Sequence, residues 1–156
     1  MGEAIFGFLG VLLGGLITWG IERSRVRRRD RRAALVGVRL ISSELRTAAD
    51  LMDVERQHDA VWRPIWRAAE TPAWSEHRAA VASVATREEW ATISVGFDNV
   101  RIVRTVPEGS EARIDEQGRK SLRAASGAAR DGADVLDVIE KRLKRVPGSR
   151  PWRCRT

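Results

Sequence analysis

The hydrophobic and polar positions divide the chain into two parts of different character. Residues 4–21 are eighteen consecutive residues without a charged side chain, and seven arginines follow within the next eleven residues. After residue 32, apolar residues recur at steps of three and four, the period of one face of an α-helix. The first pattern is typical of a membrane segment, and the second is typical of amphipathic helices packed around a core.

The apolar run is long enough to cross a bilayer as a helix. Eighteen residues span about 27 Å, close to the hydrocarbon thickness of about 30 Å. Ten of them are Leu, Ile, Val or Phe, and these favour insertion by roughly 3–6 kcal/mol. Five glycines and Thr18 reduce that gain. The sequence predicts a single transmembrane helix within residues 1–21.

Two other interpretations of the run fit less well. A secretory signal has a basic segment before its apolar run and a small-residue cleavage site after it, whereas here Glu3 comes before the run and arginines follow it. A buried core helix does not explain why nothing polar interrupts eighteen residues. The arginines also predict the orientation, because basic residues beside a membrane helix stay on the cytoplasmic side. We expect the N-terminus outside the cell membrane and the C-terminal domain in the cytoplasm.

Residues at the end of the run are candidates for contact with the membrane interface. Trp19 lies where an interfacial aromatic residue is favoured, and the arginine-rich collar of residues 22–32 follows it. Anionic lipid headgroups are the expected partners of this collar. The predicted interface residues are Trp19, Arg23, Arg25, Arg27, Arg28, Arg29, Arg31, Arg32 and, in the tail, Trp152.

Small residues recur along one side of the predicted membrane helix. The face consists of Gly7, Gly10, Gly14 and Thr18. Small residues at this spacing let two membrane helices approach closely, which predicts a homodimer through this face. The alternative is that glycine is simply frequent in membrane helices.

Four amphipathic segments follow the apolar run. The first covers residues 22 to about 56, and the second, a short one, residues 72 to about 85. The third opens at Thr86 and stops before Pro107, and the last covers about 111–146. The core stripe of the first segment is Val38, Ile41, Leu45, Ala48 and Met52, broadened by Leu40, Leu51 and Val54. The stripe of the third segment is Trp90, Ile93, Phe97 and Val100. The stripe of the last segment is Leu122, Ala125, Ala129, Gly132, Leu136, Ile139, Leu143 and Val146.

These segments predict an all-α protein. After the membrane helix, residues 33–146 form an antiparallel four-helix cytoplasmic bundle with one short helix. Trp62, Ile65 and Trp66 are expected to cover one end of its core. Residues 147–156 are a basic tail without predicted structure. Thr71-Pro72 is expected to begin the short helix, and Thr86 with Glu89 has the spacing of a capping box.

Charge is unevenly distributed along the chain. The net charge of +7 combines −1 over residues 1–21, +5 in the collar, −4 over residues 33–140 and +7 over residues 141–156. Nucleic acid is therefore a disfavoured partner, because its binders carry positive charge across a folded face. Basic residues of the last helix and tail, including Lys141, Arg142, Lys144 and Arg145, are instead expected to meet anionic lipid.

No sequence pattern indicates catalysis. Glu55 and His58 have the Glu-x-x-His spacing of di-iron bundles, but such a site needs two of these motifs. We expect Glu55, His58 and Asp59 to form a solvated helix end instead. Nucleophile-elbow, P-loop and dinucleotide motifs are absent, and Cys154 is the sole cysteine. The sequence predicts no enzyme activity, no catalytic residue, no cofactor and no metal site.

The stretch TPAWSEHRAAVASVATREEWATISVGFDNVRIV, residues 71–103, resembles a recurring pattern of uncharacterised small membrane-anchored proteins of actinobacteria and their phages. In that pattern a Thr/Pro and a Trp open a short helix, and a Glu-Trp pair opens the next. Phe97 stands where the pattern has an Ala-Tyr pair. The layout of the whole chain is also similar: one N-terminal membrane helix, an arginine-rich collar and a cytoplasmic helical domain. The resemblance implies this architecture and a membrane location but no activity.

Together these features predict a non-enzymatic, membrane-anchored interaction or scaffold module at the cytoplasmic face of the inner membrane. It would hold a protein partner there whose identity the sequence does not reveal. One alternative is a membrane-active effector of the holin or toxin kind, although the large bundle exceeds what lesion formation needs. A further alternative is a membrane-tethered nucleic-acid binder.

Overall fold

Four α-helices make up the described part of the chain. The computed structural model describes residues 2–59, 71–104 and 114–145, with side chains from residue 14 onward, and contains no strand there. The helices are α1 (Gly2–His58), α2 (Pro72–Ala82), α3 (Arg87–Arg104) and α4 (Glu116–Arg145). The predicted all-α class is confirmed, and the helix of the apolar run continues without a break into the first helix of the bundle.

The chain divides into two compact units, Met1–Ala33 and Ala34–Thr156. Among the described residues, no helix is both long enough and apolar enough to cross a membrane. The predicted membrane segment starts at Ala4, and its positions before Gly14 lie outside the residues whose side chains are described. Trp62, Ile65, Trp66, Val146 and the basic tail also lie outside the described residues.

Contacts between the helices of the second unit establish their directions. Arg39 of α1 pairs with Glu140 of α4 at 2.6 Å, whereas Asp53, further along α1, pairs with Arg130, earlier in α4. The two helices are therefore antiparallel. The other pairs of neighbouring helices are antiparallel as well, because in each pair a later residue of one helix meets an earlier residue of the other. Between α1 and α2 the contacts are Glu44 with Ala73 and Gly37 with His77. Between α2 and α3 they are Thr71 with Arg104 and Trp74 with Trp90, and between α3 and α4 they are Glu89 with Arg142 and Gly96 with Ala128. This is the predicted up-down-up-down bundle.

The core follows the predicted stripes closely. Buried apolar residues of all four helices form one cluster: Val38, Ile41, Leu45, Ala48, Ala49, Met52, Ala73, Val81, Ile93, Phe97, Val100, Leu122, Ala125, Ala129, Ala133, Leu136 and Ile139. Trp90 and Leu143 are partly buried against it, as is Leu51. Leu40 and Val54 are 46% and 38% exposed, so the prediction that they broaden the α1 stripe is wrong. They point away from the core because they lie on the opposite side of the helix from Leu45.

Two glycine contacts allow the helices to approach closely. A Cβ atom on Gly96 of α3 would lie 3.0 Å from the backbone oxygen of Ala128 on α4. A Cβ atom on Gly132 of α4 would lie 3.1 Å from a methyl group of Leu45. Since Leu45 also meets the Gly96 position at 3.5 Å, three helices converge on this one side chain.

The predicted helix starts are confirmed at α2 and α3 and displaced at α4. The backbone N–H of Thr86 donates to Glu89, and the N–H of Glu89 donates to the Thr86 hydroxyl, which completes the predicted capping box. Pro72 occupies the first turn of α2 as expected. The last helix begins at Glu116 rather than near residue 111, because Asp115 caps it by accepting the N–H of Gly118 at 2.7 Å.

Replacing Gly37 by alanine should destabilise the bundle. The new Cβ would lie 2.7 Å from Cβ of His77, so α1 and α2 would have to move apart. We expect a net loss of about 1–2 kcal/mol in the free energy of unfolding, since the overpacking outweighs the gain in helix propensity. Gly127→Ala is the matched control, because nothing lies within 4 Å of the position of its Cβ. It should stabilise α4 by up to about 1 kcal/mol. Denaturant unfolding of the full chain, followed by circular dichroism, measures both; equal stabilities would contradict the close approach.

Candidate functional site

The described end of the apolar run is an uncovered apolar surface on α1. Leu16 and Ile17 are each 62% exposed, Trp19 is 60% exposed and Ile21 is 50% exposed. These residues point in different directions around the helix, because successive positions turn by 100°. The segment Gly14–Ile21 is therefore apolar and exposed around its whole circumference, unlike the one-sided stripes of the bundle helices.

The predicted small-residue face is open where the structure describes it. Nothing lies within 4 Å of the position of a Cβ atom on Gly14. The hydroxyl of Thr18 donates to the backbone oxygen of Gly14 at 2.9 Å, which satisfies this polar group within the helix itself. Gly7 and Gly10 belong to α1 but precede the residues whose side chains are described. The described half of the face thus presents no unsatisfied hydroxyl to an apolar neighbour.

The arginine collar lies directly after this segment on the same helix. Its side chains are exposed at Arg23, Arg25, Arg27, Arg28, Arg29 and Arg32 and partly buried at Arg31. The guanidinium carbon of Arg23 stands 5.0 Å from the centre of the Trp19 ring, within the range of a cation–π interaction. Trp19 and the collar are thus joined at the boundary between the apolar and basic stretches. Trp152, the remaining predicted interface residue, lies outside the described residues.

The basic end of α4 is partly used inside the bundle. Arg142 donates from both terminal nitrogens to the two oxygens of Glu89, each at 2.9 Å, and to the backbone oxygen of Val84 at 2.8 Å. Lys144 pairs with Glu140 at 2.7 Å. Both cations therefore form ion pairs within the protein, and their side chains remain 42% and 53% exposed. Lys141 and Arg145 are exposed.

Glu89 has two structural roles. Its carboxylate closes the capping box of α3 and receives the Arg142 guanidinium, and the hydrogen bonds from Arg142 hold the pKa of Glu89 below its ordinary value. Asp53 has a comparable pairing. Burial raises its pKa, but the hydrogen bond and charge of Arg130 outweigh burial, so the pKa of Asp53 is lowered. Both carboxylates serve to join helices.

Glu55 and His58 differ in burial. Glu55 is 3% exposed, so the prediction of a solvated helix end is wrong for this residue, whereas His58 is exposed. Asp59 adopts a left-handed backbone conformation that ends α1, and it accepts the guanidinium of Arg119 at 2.9 Å. Within the described residues, no group of three or more His, Cys, Asp or Glu side chains is arranged to hold a metal ion.

Sequence reasoning missed the contact between Glu44 and α2. The carboxylate of Glu44 accepts the backbone N–H groups of Ala73 and Trp74 at 2.8 and 3.1 Å, while the Thr71 side chain makes no capping bond. Glu44 therefore caps α2 from another helix. Burial raises the pKa of Glu44 in spite of these bonds. One signal was available: position 74, where a capping box after Thr71 would place Glu, is Trp, so the donors required an acceptor from elsewhere.

Comparison of the chain with protein-family models, with curated proteins and with solved structures finds no match.

Replacing Glu89 by glutamine should remove the pairing with Arg142 and keep the capping box, which glutamine also forms. We expect a loss of about 1 kcal/mol at neutral pH, because the bidentate contact is strong but Arg142 stays 42% exposed. The lowered pKa means that this stabilisation is present above the ordinary range of glutamate and is lost as the pH falls through the lowered value. The variant should therefore show a flatter acid limb of stability against pH.

The neighbouring Glu88→Gln variant is the control, since Glu88 is exposed and outside this contact. Unfolding midpoints of both variants, measured between neutral and acid pH, test whether the pairing of Glu89 with Arg142 contributes to stability. An acid limb that is equally steep in both variants would show that the Glu89 pairing contributes nothing to stability.

Proposed function

We propose that this chain is a single-pass membrane protein whose helical bundle is a non-enzymatic interaction module at the cytoplasmic face of the inner membrane. The observation that carries the proposal is the exposure of Leu16, Ile17, Trp19 and Ile21 around the whole circumference of α1. The second unit has a core of its own, formed by buried apolar residues of all four helices. In water the exposed segment would be unfavourable, whereas lipid covers it at no such cost.

The sequence before Gly14 supports the same location. Residues 4–13 continue the uncharged run, so the apolar stretch reaches eighteen residues, close to the thickness of the hydrocarbon layer. The arginines then end it. Cation–π contact of Arg23 with Trp19 fits the interface, where an aromatic ring is favoured beside basic residues. The seven arginines orient the bundle toward the cytoplasm and toward anionic headgroups.

The bundle itself is proposed to hold a protein partner at the membrane. Its polar side chains join helices, as Glu44, Glu89 and Arg142 illustrate, so they support architecture rather than chemistry. The open Gly14–Thr18 face supports a second partner, a further copy of the membrane helix. A membrane-active effector is the competing proposal, and dye leakage on expression separates the two.

Two arginines at the middle of the apolar run should abolish membrane association. Leu12→Arg with Leu13→Arg adds roughly 5–7 kcal/mol against insertion, which exceeds the gain of about 3–6 kcal/mol from the run. The control places the same change on the bundle, as Val95→Arg with Ile102→Arg, where the native residues are 52% and 63% exposed. After cell fractionation and carbonate extraction, the control should stay in the membrane pellet and the run variant should leave it. If the run variant also remains in the pellet, the apolar run is not the anchor.

The single cysteine allows a direct test of orientation. Cys154 should be protected from a membrane-impermeant maleimide in intact spheroplasts and labelled after permeabilisation, since the tail is proposed to be cytoplasmic. A Gly2→Cys variant in a Cys154→Ser background should show the opposite pattern. Labelling of Cys154 in intact spheroplasts would contradict the proposed orientation.

A further inference from the structure

The outward side of α1 in the second unit carries a second regular stripe, which we call the α1 seam. It consists of Val36, Leu40, Ser43, Thr47, Asp50 and Val54. Val36 is 50% exposed, Leu40 46% and Val54 38%, and the other three are also exposed. Their steps alternate between four and three residues, which is the a/d spacing of a coiled coil. α1 therefore has two seams at this spacing, one buried in the bundle and one uncovered.

The seam contains a single charged residue, Asp50. That charge is already compensated, since Asp50 accepts Arg130 of α4 at 3.2 Å. The outward face of α4 shows the ordinary pattern for a solvated helix, with the exposed charges Lys120, Arg123, Asp131, Asp134, Lys141 and Arg145. The fold of one copy does not require this a/d stripe, because α1 already fills the core with its other side and the one charge on the stripe is paired within the copy.

We propose that the α1 seam pairs with the α1 seam of a second copy of this chain as a short parallel coiled coil. The flanking charges identify the occupant. Arg39 borders the seam on one side and Glu44 on the other, five residues apart, which is the spacing at which flanking residues of two parallel helices meet. Arg39 of each copy then lies opposite Glu44 of the other copy, so the pairing forms two opposite-charge contacts.

Both flanking residues have capacity for this additional contact. Arg39 donates one guanidinium N–H to Glu140, and its side chain remains 61% exposed. A guanidinium has five N–H donors, and a carboxylate accepts about four hydrogen bonds, of which Glu44 uses two for α2. The contacts within one copy and the contacts between copies are therefore compatible.

The charges also select the direction of the second copy. In an antiparallel pair centred on the seam, Arg46 would face Arg46 and Glu44 would face Glu44, and both contacts are repulsive. Arg39 would face Asp53 there, but the Asp53 side chain is 19% exposed and already pairs with Arg130 at 2.6 Å. The parallel pair avoids them. Two copies anchored in one membrane are also parallel, but this agreement rests on the proposed function, whereas the seam and its charges do not.

Disulfide trapping of the full chain tests the pairing. In a Cys154→Ser background, Leu40→Cys and, one heptad later, Thr47→Cys should each form a disulfide between copies under mild oxidation. The expected rate is roughly tenfold or more above that of Ile102→Cys, because pairing raises the local thiol concentration to about the millimolar range. Ile102 is a suitable control since it is 63% exposed on α3 and outside the seam. Equal rates at positions 40 and 102 would overturn the proposal.

The direction is tested by mixing two differently tagged chains. An antiparallel pair would join Leu40→Cys to Asp50→Cys, whereas a parallel pair joins each position to itself. Preferential formation of the mixed 40–50 disulfide would overturn the parallel arrangement. Preferential 40–40 and 50–50 disulfides would support it.

A charge placed on the seam provides the second measurement. Val36→Glu with Leu40→Glu should reduce cross-linking of Thr47→Cys to the rate of the Ile102→Cys control. Val95→Glu with Ile102→Glu makes the same change at exposed positions of α3 and should leave cross-linking unchanged. Because all four positions are exposed, the helical circular-dichroism signal at ambient temperature is expected to be unchanged in both variants, which separates loss of pairing from loss of folding. Undiminished cross-linking in the seam variant would contradict the proposal.

The test separates failure of the pairing from failure of the membrane anchor. Trapping is repeated on the chain with Leu12→Arg and Leu13→Arg. Seam-specific disulfides in that chain show that the bundles pair without the anchor. If they vanish there but form in the anchored chain, the pairing depends on membrane confinement, and the seam proposal stands in its membrane-bound form. Absence from both chains refutes the seam while leaving the anchoring result unaffected.

Discussion

The convergence of three helices on Leu45 is the constraint around which the bundle is built. Its side chain is fully buried and lies 3.1 and 3.5 Å from the positions where Gly132 and Gly96 would carry a Cβ atom. A larger residue at either glycine would separate α1 from α3 and α4, and the buried apolar cluster would lose its packing. The ion pairs of Arg39 with Glu140 and of Asp53 with Arg130 join α1 to α4 and require the short distance between these two helices. Packing around Leu45 sets that distance.

Helix α1 carries three surfaces with different requirements along a single helix of 57 residues. Its first described turns are apolar on every side, its collar is basic, and its last part carries the buried apolar stripe on one side and the α1 seam on the other. The bundle satisfies one of these apolar surfaces, the inward stripe that includes Leu45. The proposals of a lipid environment for Leu16 and Ile17 and of a second copy for the seam follow from the same physical argument. Each gives an uncovered apolar surface a neighbour that matches its pattern and its flanking charges.

The local rules of helix formation were sufficient to predict much of the fold from the sequence. The stripe through Val38 and Ile41, the capping box of Thr86 and the all-α class depend on residues close in sequence, and all were predicted. Glu44 was missed because its partners at Ala73 and Trp74 are about thirty residues away, and no local pattern encodes such a contact. Leu40 and Val54 were misassigned because an a/d stripe has the same period on either side of a helix. Sequence periodicity identifies both stripes of α1, but which of them is buried depends on how the other helices pack.

The central claim is that the exposed apolar end of α1 meets lipid while the bundle meets water. Spin labels at Leu16→Cys and Ile102→Cys, each in a Cys154→Ser background of the full chain in membranes, test it directly. Both native side chains have nearly the same exposure, 62% and 63%, so the environment is what differs. A lipid environment at residue 16 and an aqueous one at residue 102 predict that dissolved oxygen relaxes the label at position 16 more than a water-soluble nickel complex does, and that the order is reversed at position 102. Equal access of the nickel complex to both labels would contradict it.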